Sequence, residues 1–467
     1  MAEETENKTP KAIQDNDWLY NLLSPLVQYG CRCHYKSFVV RGKENLPADA
    51  PYIIAPCHQQ ALMEPLAVLC VAPKPPVFLA RADLFKKPTL RKILTFLKIM
   101  PVYRIRDGKS QLGLNQEVFD LCRDVLLDGS PLCLMAEGRH NNRHHLLPFG
   151  KGMFRIAGEA QLALGDRQLY IVPVGIDFDE YERPYSNLVV NIGQPIAVQP
   201  FMDTYRTDEP VALNNMRSAL TDALLPLMHD IRNEEHYDEI MTLCNVMNRP
   251  MRQKSHLSNN AWNRFLMRRQ IAGRMEALRL SDSREFDRMT GAAKHIRQHL
   301  EKLGVDEKTA VGHWNLALTI CSASLLAAAI VLVAALRPLR MLALFLLICY
   351  PWPFIPTHLA VRRKVADPQF RSSFNWGVRF FGSIVYALII GIVMACTGGM
   401  WMRHMLDLGP WWGVVAVAIA VIGARLSAPV VSCIRSVAEN LHYWTLRLSH
   451  KRDFREIDRL ALTLTEP

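Results

Sequence analysis

Before residue 310 the chain has no apolar run long enough to span a bilayer. It also lacks a basic start leading into an apolar core. Met1-Ala2-Glu3-Glu4-Thr5-Glu6 is acidic and polar, which argues against a secretory signal and leaves the front of the chain expected in the cytosol. Paired metal spacing is missing from its 11 cysteines. Cys31 and Cys33 stand too close for a CxxC site, and Cys57, Cys70, Cys122 and Cys133 lie in apolar contexts, so buried reduced thiols are expected. No Gly-x-Ser-x-Gly is present, so a serine hydrolase is not indicated. Gly108-Lys109-Ser110 has Tyr103 where a phosphate-binding loop needs its first glycine. Gly150-Lys151-Gly152 has Arg155 in place of the third glycine of a dinucleotide fingerprint.

What is present is unevenly placed. The 467 residues are enough for roughly two or three domains. Residues 1–15 read as a mobile tail, and 16–34 as an amphipathic helical segment. In that segment Trp18, Leu19, Leu22, Leu23, Leu26 and Val27 form one stripe, which Pro25 is expected to kink or break at Ser24. The stripe could lie on a membrane or pack on the domain. Without Lys or Arg on its polar side, core packing is at least as favoured.

From residue 35 to 205 the pattern alternates. Strand-like runs occur at 36–41, 52–55, 76–80, 99–103, 131–135, 170–175 and 188–193. Helical stretches lie at 59–70, 88–97, 113–127 and 152–163. This predicts an α/β domain with a mostly parallel sheet flanked by helices. Residues 206–313 read as a basic helical connector, with Trp262, Phe265, Ala272 and Met275 on one face.

Most of the formal net charge of +11 falls in the 248–303 part of that connector. Between Asn248 and Leu303, 13 Lys or Arg face 5 Asp or Glu, a local balance of +8 that suits anionic lipid headgroups. No nucleic-acid module surrounds the patch, so nucleic acid is not expected as a partner. Four apolar stretches follow within 314–434: Leu316 to Leu336, Met341 to Val361, Phe380 to Met402 and Trp411 to Ile434, the last holding Arg425. Arg362, Arg363, Lys364, Arg371 and Arg379 place the second connecting loop inside. Arg337 and Arg340 in the first outer turn conflict with that unless the hairpin crosses incompletely. Residues 435–467 form a basic cytosolic tail.

Four segments lie next to predicted strand ends, where open α/β sheets collect their chemistry. They are Cys57-His58-Gln59-Gln60-Ala61-Leu62-Met63-Glu64, Pro101-Val102-Tyr103-Arg104, Ala136-Glu137-Gly138-Arg139 and Val172-Pro173-Val174-Gly175. His58 is expected at a strand-to-helix turn, near the positive end of the helix dipole. Read singly, it could be a satisfied core histidine, and the arginines a solvated strand edge. His140, His144 and His145 could in principle bind a metal, but no regular ligand spacing supports one, and none is expected.

Taken in order, the four segments resemble the blocks of the glycerophospholipid acyltransferase family, the membrane enzymes related to lysophosphatidate acyltransferase, over roughly residues 30 to 200. The resemblance implies His58 as general base with Glu64 orienting it. It implies Arg104, then Arg106, with Glu137, Gly138 and Arg139, as the acceptor site, and Pro173 and Val174 as part of an acyl pocket. The family spaces His and Asp by four residues. Here five intervene before a glutamate, which on an ideal helix would rotate the side chain by ~100°. Ala136 replaces the family's usual proline, and the basic residue after Glu137-Gly138 arrives one place early.

The implied activity is transfer of an acyl group from acyl-CoA or acyl carrier protein to glycerol 3-phosphate or lysophosphatidate, without a cofactor. The longer spacing after His58 favours glycerol 3-phosphate slightly. The implied setting is the cytoplasmic membrane, with the catalytic domain and both termini cytosolic. The competing reading is an inactive acyltransferase-like membrane protein serving as a transporter or a lipid-surface scaffold.

Overall fold

Pairing of the β-rich runs gives an eight-stranded sheet in the order β1-β7-β6-β2-β5-β3-β4, with β8 also paired to β6. The strands are β1 (Ser37–Arg41), β2 (Tyr52–Pro56), β3 (Val77–Arg81), β4 (Ile99–Val102), β5 (Leu132–Cys133), β6 (Tyr170–Phe178), β7 (Asn187–Ile192) and β8 (Ile196–Ala197). The computed structural model describes residues 12–103, 114–139, 141, 143–181, 185–305, 307–312, 315–336, 361, 363–397 and 432–465. Strands β6, β2, β5, β3 and β4 run parallel, and β7 and β8 pair antiparallel with β6. The mostly parallel sheet is therefore present, with β8 as an extra short strand.

The chain divides into two compact units. The first comprises Met1–Arg32, Phe38–Phe178 and Leu188–Met228, and the second Cys33–Ser37, Asp179–Asn187 and His229–Pro467. In the first unit the helices are α1 (Trp18–His34), α2 (Met63–Val71), α3 (Pro88–Phe96), α4 (Leu114–Leu127), α5 (Gly152–Leu164), α6 (Met202–Thr207) and α7 (Glu209–Leu224). Central strand β2 is buried at every position, as a strand covered on both faces must be. Gly175 in β6 is required because a Cβ there would run into the Leu227 backbone.

Helix α1 departs from expectation twice. It runs unbroken through Pro25, which stands on an exposed side where water can satisfy the carbonyl that loses its partner. It is also turned inside out: Tyr20, Ser24 and Cys31 are its buried line, whereas Trp18, Leu22 and Leu26 are 76%, 65% and 44% exposed. Packing on the core is thus corrected. Tyr20 instead meets Phe96 of α3 edge-on, and the Lys98 ammonium donates to the carbonyls of Ile13, Gln14 and Asp15.

The second unit is helical: α8 (Tyr237–Val246), α9 (Asn248–Lys254), α10 (Ala261–Ser281), α11 (Ser283–Leu303), α12 (Glu307–Gly312) and α13 (Leu316–Ala335), then Pro368–Thr397, a helix over 432–449, and Lys451–Thr465. Side-chain oxygens of Asn260 and Asp282 accept backbone N–H bonds at the starts of α10 and α11, and Gly304 closes α11 in the left-handed region. Leu243, Met275, Phe286, Ile296, Tyr443 and Phe454 lie in one buried cluster.

Helix α13 is the first expected apolar stretch. It is the one helix among the described residues long and apolar enough to cross a membrane. The third stretch is helical as far as Thr397. The second stretch apart from Val361, nearly all of the fourth with Arg425, and the Arg337 to Arg340 turn lie outside the described residues.

Candidate active site

Because β2, β5, β3 and β4 are parallel, their carboxyl ends open onto one edge of the sheet, and three of the four sequence blocks end there. Strand β2 stops at Pro56. The next residues, 57 to 62, are not helical, and α2 starts only at Met63. The helix expected from residue 59 is therefore late, and His58 stands in the turn between strand and helix, farther ahead of the helix than its expected start implied.

That difference resolves the spacing. Within the turn Ala61 has φ of 35°, a left-handed value rare for a residue with a side chain, and Met63 N–H closes onto the Gln60 carbonyl at 2.8 Å. The turn carries Glu64 back toward the strand end. Its Oε1 accepts from the backbone N–H of Gln59 at 2.8 Å and of Gln60 at 2.5 Å. Its Oε2 lies 3.5 Å from His58 Nδ1, with Glu64 fully buried and the His58 side chain 13% exposed. The ~100° rotation of an ideal helix does not arise, because the intervening residues are not helical.

Glu137 follows β5 in the same sheet. Its Oε1 accepts from the His58 backbone N–H at 2.7 Å, and its Oε2 from the Leu147 N–H at 3.0 Å. Both carboxylate oxygens thus hold backbone. Gly138 takes φ of 65° and lies exposed beside an exposed Arg139. Arg104, Arg106 and His140 lie outside the described residues. Pro173 and Val174 are buried in β6, in register with Ala55 and Pro56 just before His58.

Two contacts close by were not read from the sequence, although Cys57 and His144 were noted there. The Cys57 sulfur accepts from Ile176 N–H at 3.1 Å, and its thiol is held well above the usual thiol range by burial, then by the Glu137 charge. His144 Nδ1 lies 3.5 Å from Asp177 Oδ1, both side chains being almost fully buried. An acid inside the apolar strand at 170–178 was the available signal for that pair.

The His58 backbone N–H is held by Glu137, and a buried carboxylate stands 3.5 Å from its Nδ1 without a hydrogen bond between the two atoms, a placement that suits a histidine transferring a proton through its other ring nitrogen. In the comparisons with known proteins, no curated protein matches the chain. A match among solved structures is the crystal structure of the 1-acyl-sn-glycerophosphate (LPA) acyltransferase PlsC from Thermotoga maritima. It shares 17% identity, covers 44% of this chain and 79% of that one, and has a TM-score of 0.31. Residues 37–177, which hold all of these groups, match the model of the Acyltransferase family.

Proposed function

We propose that the protein is a membrane-bound O-acyltransferase that moves a fatty acyl group from acyl-CoA or acyl carrier protein to a hydroxyl of glycerol 3-phosphate or lysophosphatidate. The observation that carries this reading is the buried Glu64 carboxylate 3.5 Å from His58 Nδ1 at the end of β2. His58 Nε2 takes the proton of the acceptor hydroxyl as its oxygen attacks the thioester carbonyl. The C–S bond then breaks, and the thiolate leaves with that proton. General base help of this kind contributes ~10²–10⁴-fold. Glu64 stabilises the transient imidazolium and fixes the ring.

Arg104, Arg106 and Arg139 suit the acceptor phosphate, since guanidinium binds it through paired hydrogen bonds. Pro173 and Val174 contribute to the acyl pocket. Helix α13 supports membrane attachment, with the domain on the cytosolic face as the positive loops favour. In the proposed topology all four apolar stretches cross the cytoplasmic membrane.

The test supplies radiolabelled acyl-CoA or acyl carrier protein with each acceptor in turn. A labelled ester on glycerol 3-phosphate or lysophosphatidate is the expected result. No ester on any acceptor would favour the scaffold or transporter reading.

A further inference from the structure

In the basic second unit one guanidinium meets no opposite charge among the described residues. Arg252 lies in α9 and is only 7% exposed. Its Nε donates to Asn248 Oδ1 at 3.0 Å, one turn back on the same helix. Asn248 is fixed in turn, since its Nδ2 donates to the Arg264 carbonyl of α10 at 2.9 Å. The asparagine thus sets the plane of the Arg252 fork. Among the described residues no carboxylate reaches that fork, and its two terminal nitrogens have no protein partner. Those nitrogens are not sealed from solvent either.

The neighbouring charges worsen the imbalance. Burial, then Arg264 and Arg249, push the Arg252 pKa down. The acid that meets Arg264 is Asp179, which pairs with it at 3.4 Å and is also held by Arg268. One carboxylate therefore serves two arginines and leaves nothing for a third. A buried cation without a counter-charge is costly, and a fold that keeps one at a solvent opening gains most when an anion arrives.

We infer that Arg252, oriented by Asn248 and flanked by Arg249 and Arg264, forms an anion site for a phosphate group, carried either by a phospholipid headgroup or free in solution. A guanidinium fork with both terminal nitrogens open matches two phosphate oxygens at once. The site lies outside the acyltransferase-family residues and does not depend on the proposed transfer activity.

The test uses the full chain in detergent. The unfolding midpoint is followed while sodium phosphate is titrated against sodium chloride of equal ionic strength. A second arm titrates dihexanoylphosphatidylglycerol. Either anion should raise the midpoint of the wild-type protein, and the arm that responds identifies the source. Arg252→Met should be at least as stable as wild type in chloride, because it removes an uncompensated buried charge. It should lose the anion-dependent rise, with apparent affinity down about tenfold or more, the scale of a lost charge-assisted bond. Arg279→Gln, at an exposed position paired with Glu276, should keep the rise. If Arg252→Met does not fold, Arg252→Lys keeps the charge without the fork and should weaken binding. A wild-type rise that survives both substitutions, or no rise with either anion, would overturn the site.

Discussion

Glu64 bonds to two backbone N–H groups through one oxygen and faces His58 with the other, so its two jobs separate by substitution. Glu64→Gln keeps an oxygen for Gln59 and Gln60 N–H but removes the charge beside Nδ1. It should fold with a nearly unchanged unfolding midpoint and lose most transfer activity. Glu64→Ala strands two buried donors as well, and should cost about 1–3 kcal/mol for each. Denaturant midpoints and acyl-transfer rates measured together check the pair. Equal stability loss in both variants would contradict this division. The histidine and the glutamate were both legible in the sequence, since residue type and order carry them. Their geometry was not, because a left-handed Ala61 is invisible to residue preferences and sets where α2 begins. Glu137 stood out in the sequence, but its bond to the His58 backbone did not.

The thiols make a pH prediction at the same scale. Burial holds Cys57 and Cys133 well above the ordinary range and pushes Cys122 up to about 12. The folded chain therefore keeps these protons where an unfolded chain loses them. Their contribution to stability is full below an ordinary thiol pKa, about 8.5, and declines as pH rises above it. Unfolding midpoints should fall between pH 8 and pH 10, and iodoacetamide should spare these three cysteines in the native protein at pH 8. Rapid native labelling of any of them would show that it is not buried.

At the scale of elements, strand and helix positions followed the alternating pattern closely, because a sheet covered on both faces demands continuous apolar runs. The α1 stripe shows where such reasoning stops. Periodicity finds an apolar face but not the side on which it lies. Trp18, Leu22 and Leu26 face outward, and Tyr20 and Ser24 face the domain. A lipid surface as the cover for that stripe makes a direct prediction. In the bilayer-reconstituted protein, a nitroxide at Leu22 should be more accessible to oxygen than to a water-soluble nickel complex. The reverse ratio would place the stripe in water.

For the whole molecule, residues 37–177 match the Acyltransferase family model, and the described residues outside them are mostly helix. The uneven hydropathy made that division readable, since apolar runs concentrate after residue 310. Contacts between distant segments were not readable. The Asn248 to Arg264 bond and the shared cluster of Phe286, Tyr443 and Phe454 depend on how helices meet, not on any local pattern. If the apolar stretches span the bilayer, the chain should stay in the membrane pellet through alkaline carbonate extraction. Release into the supernatant would limit its attachment to the surface.

In the proposed reaction the imidazole at the end of β2 removes the acceptor's proton. Single-turnover transfer from radiolabelled acyl-CoA, comparing wild type with His58→Ala at matched folded fraction, tests it most directly. A loss of about 10²–10⁴-fold is expected in the variant. Transfer at the wild-type rate without that ring would contradict it.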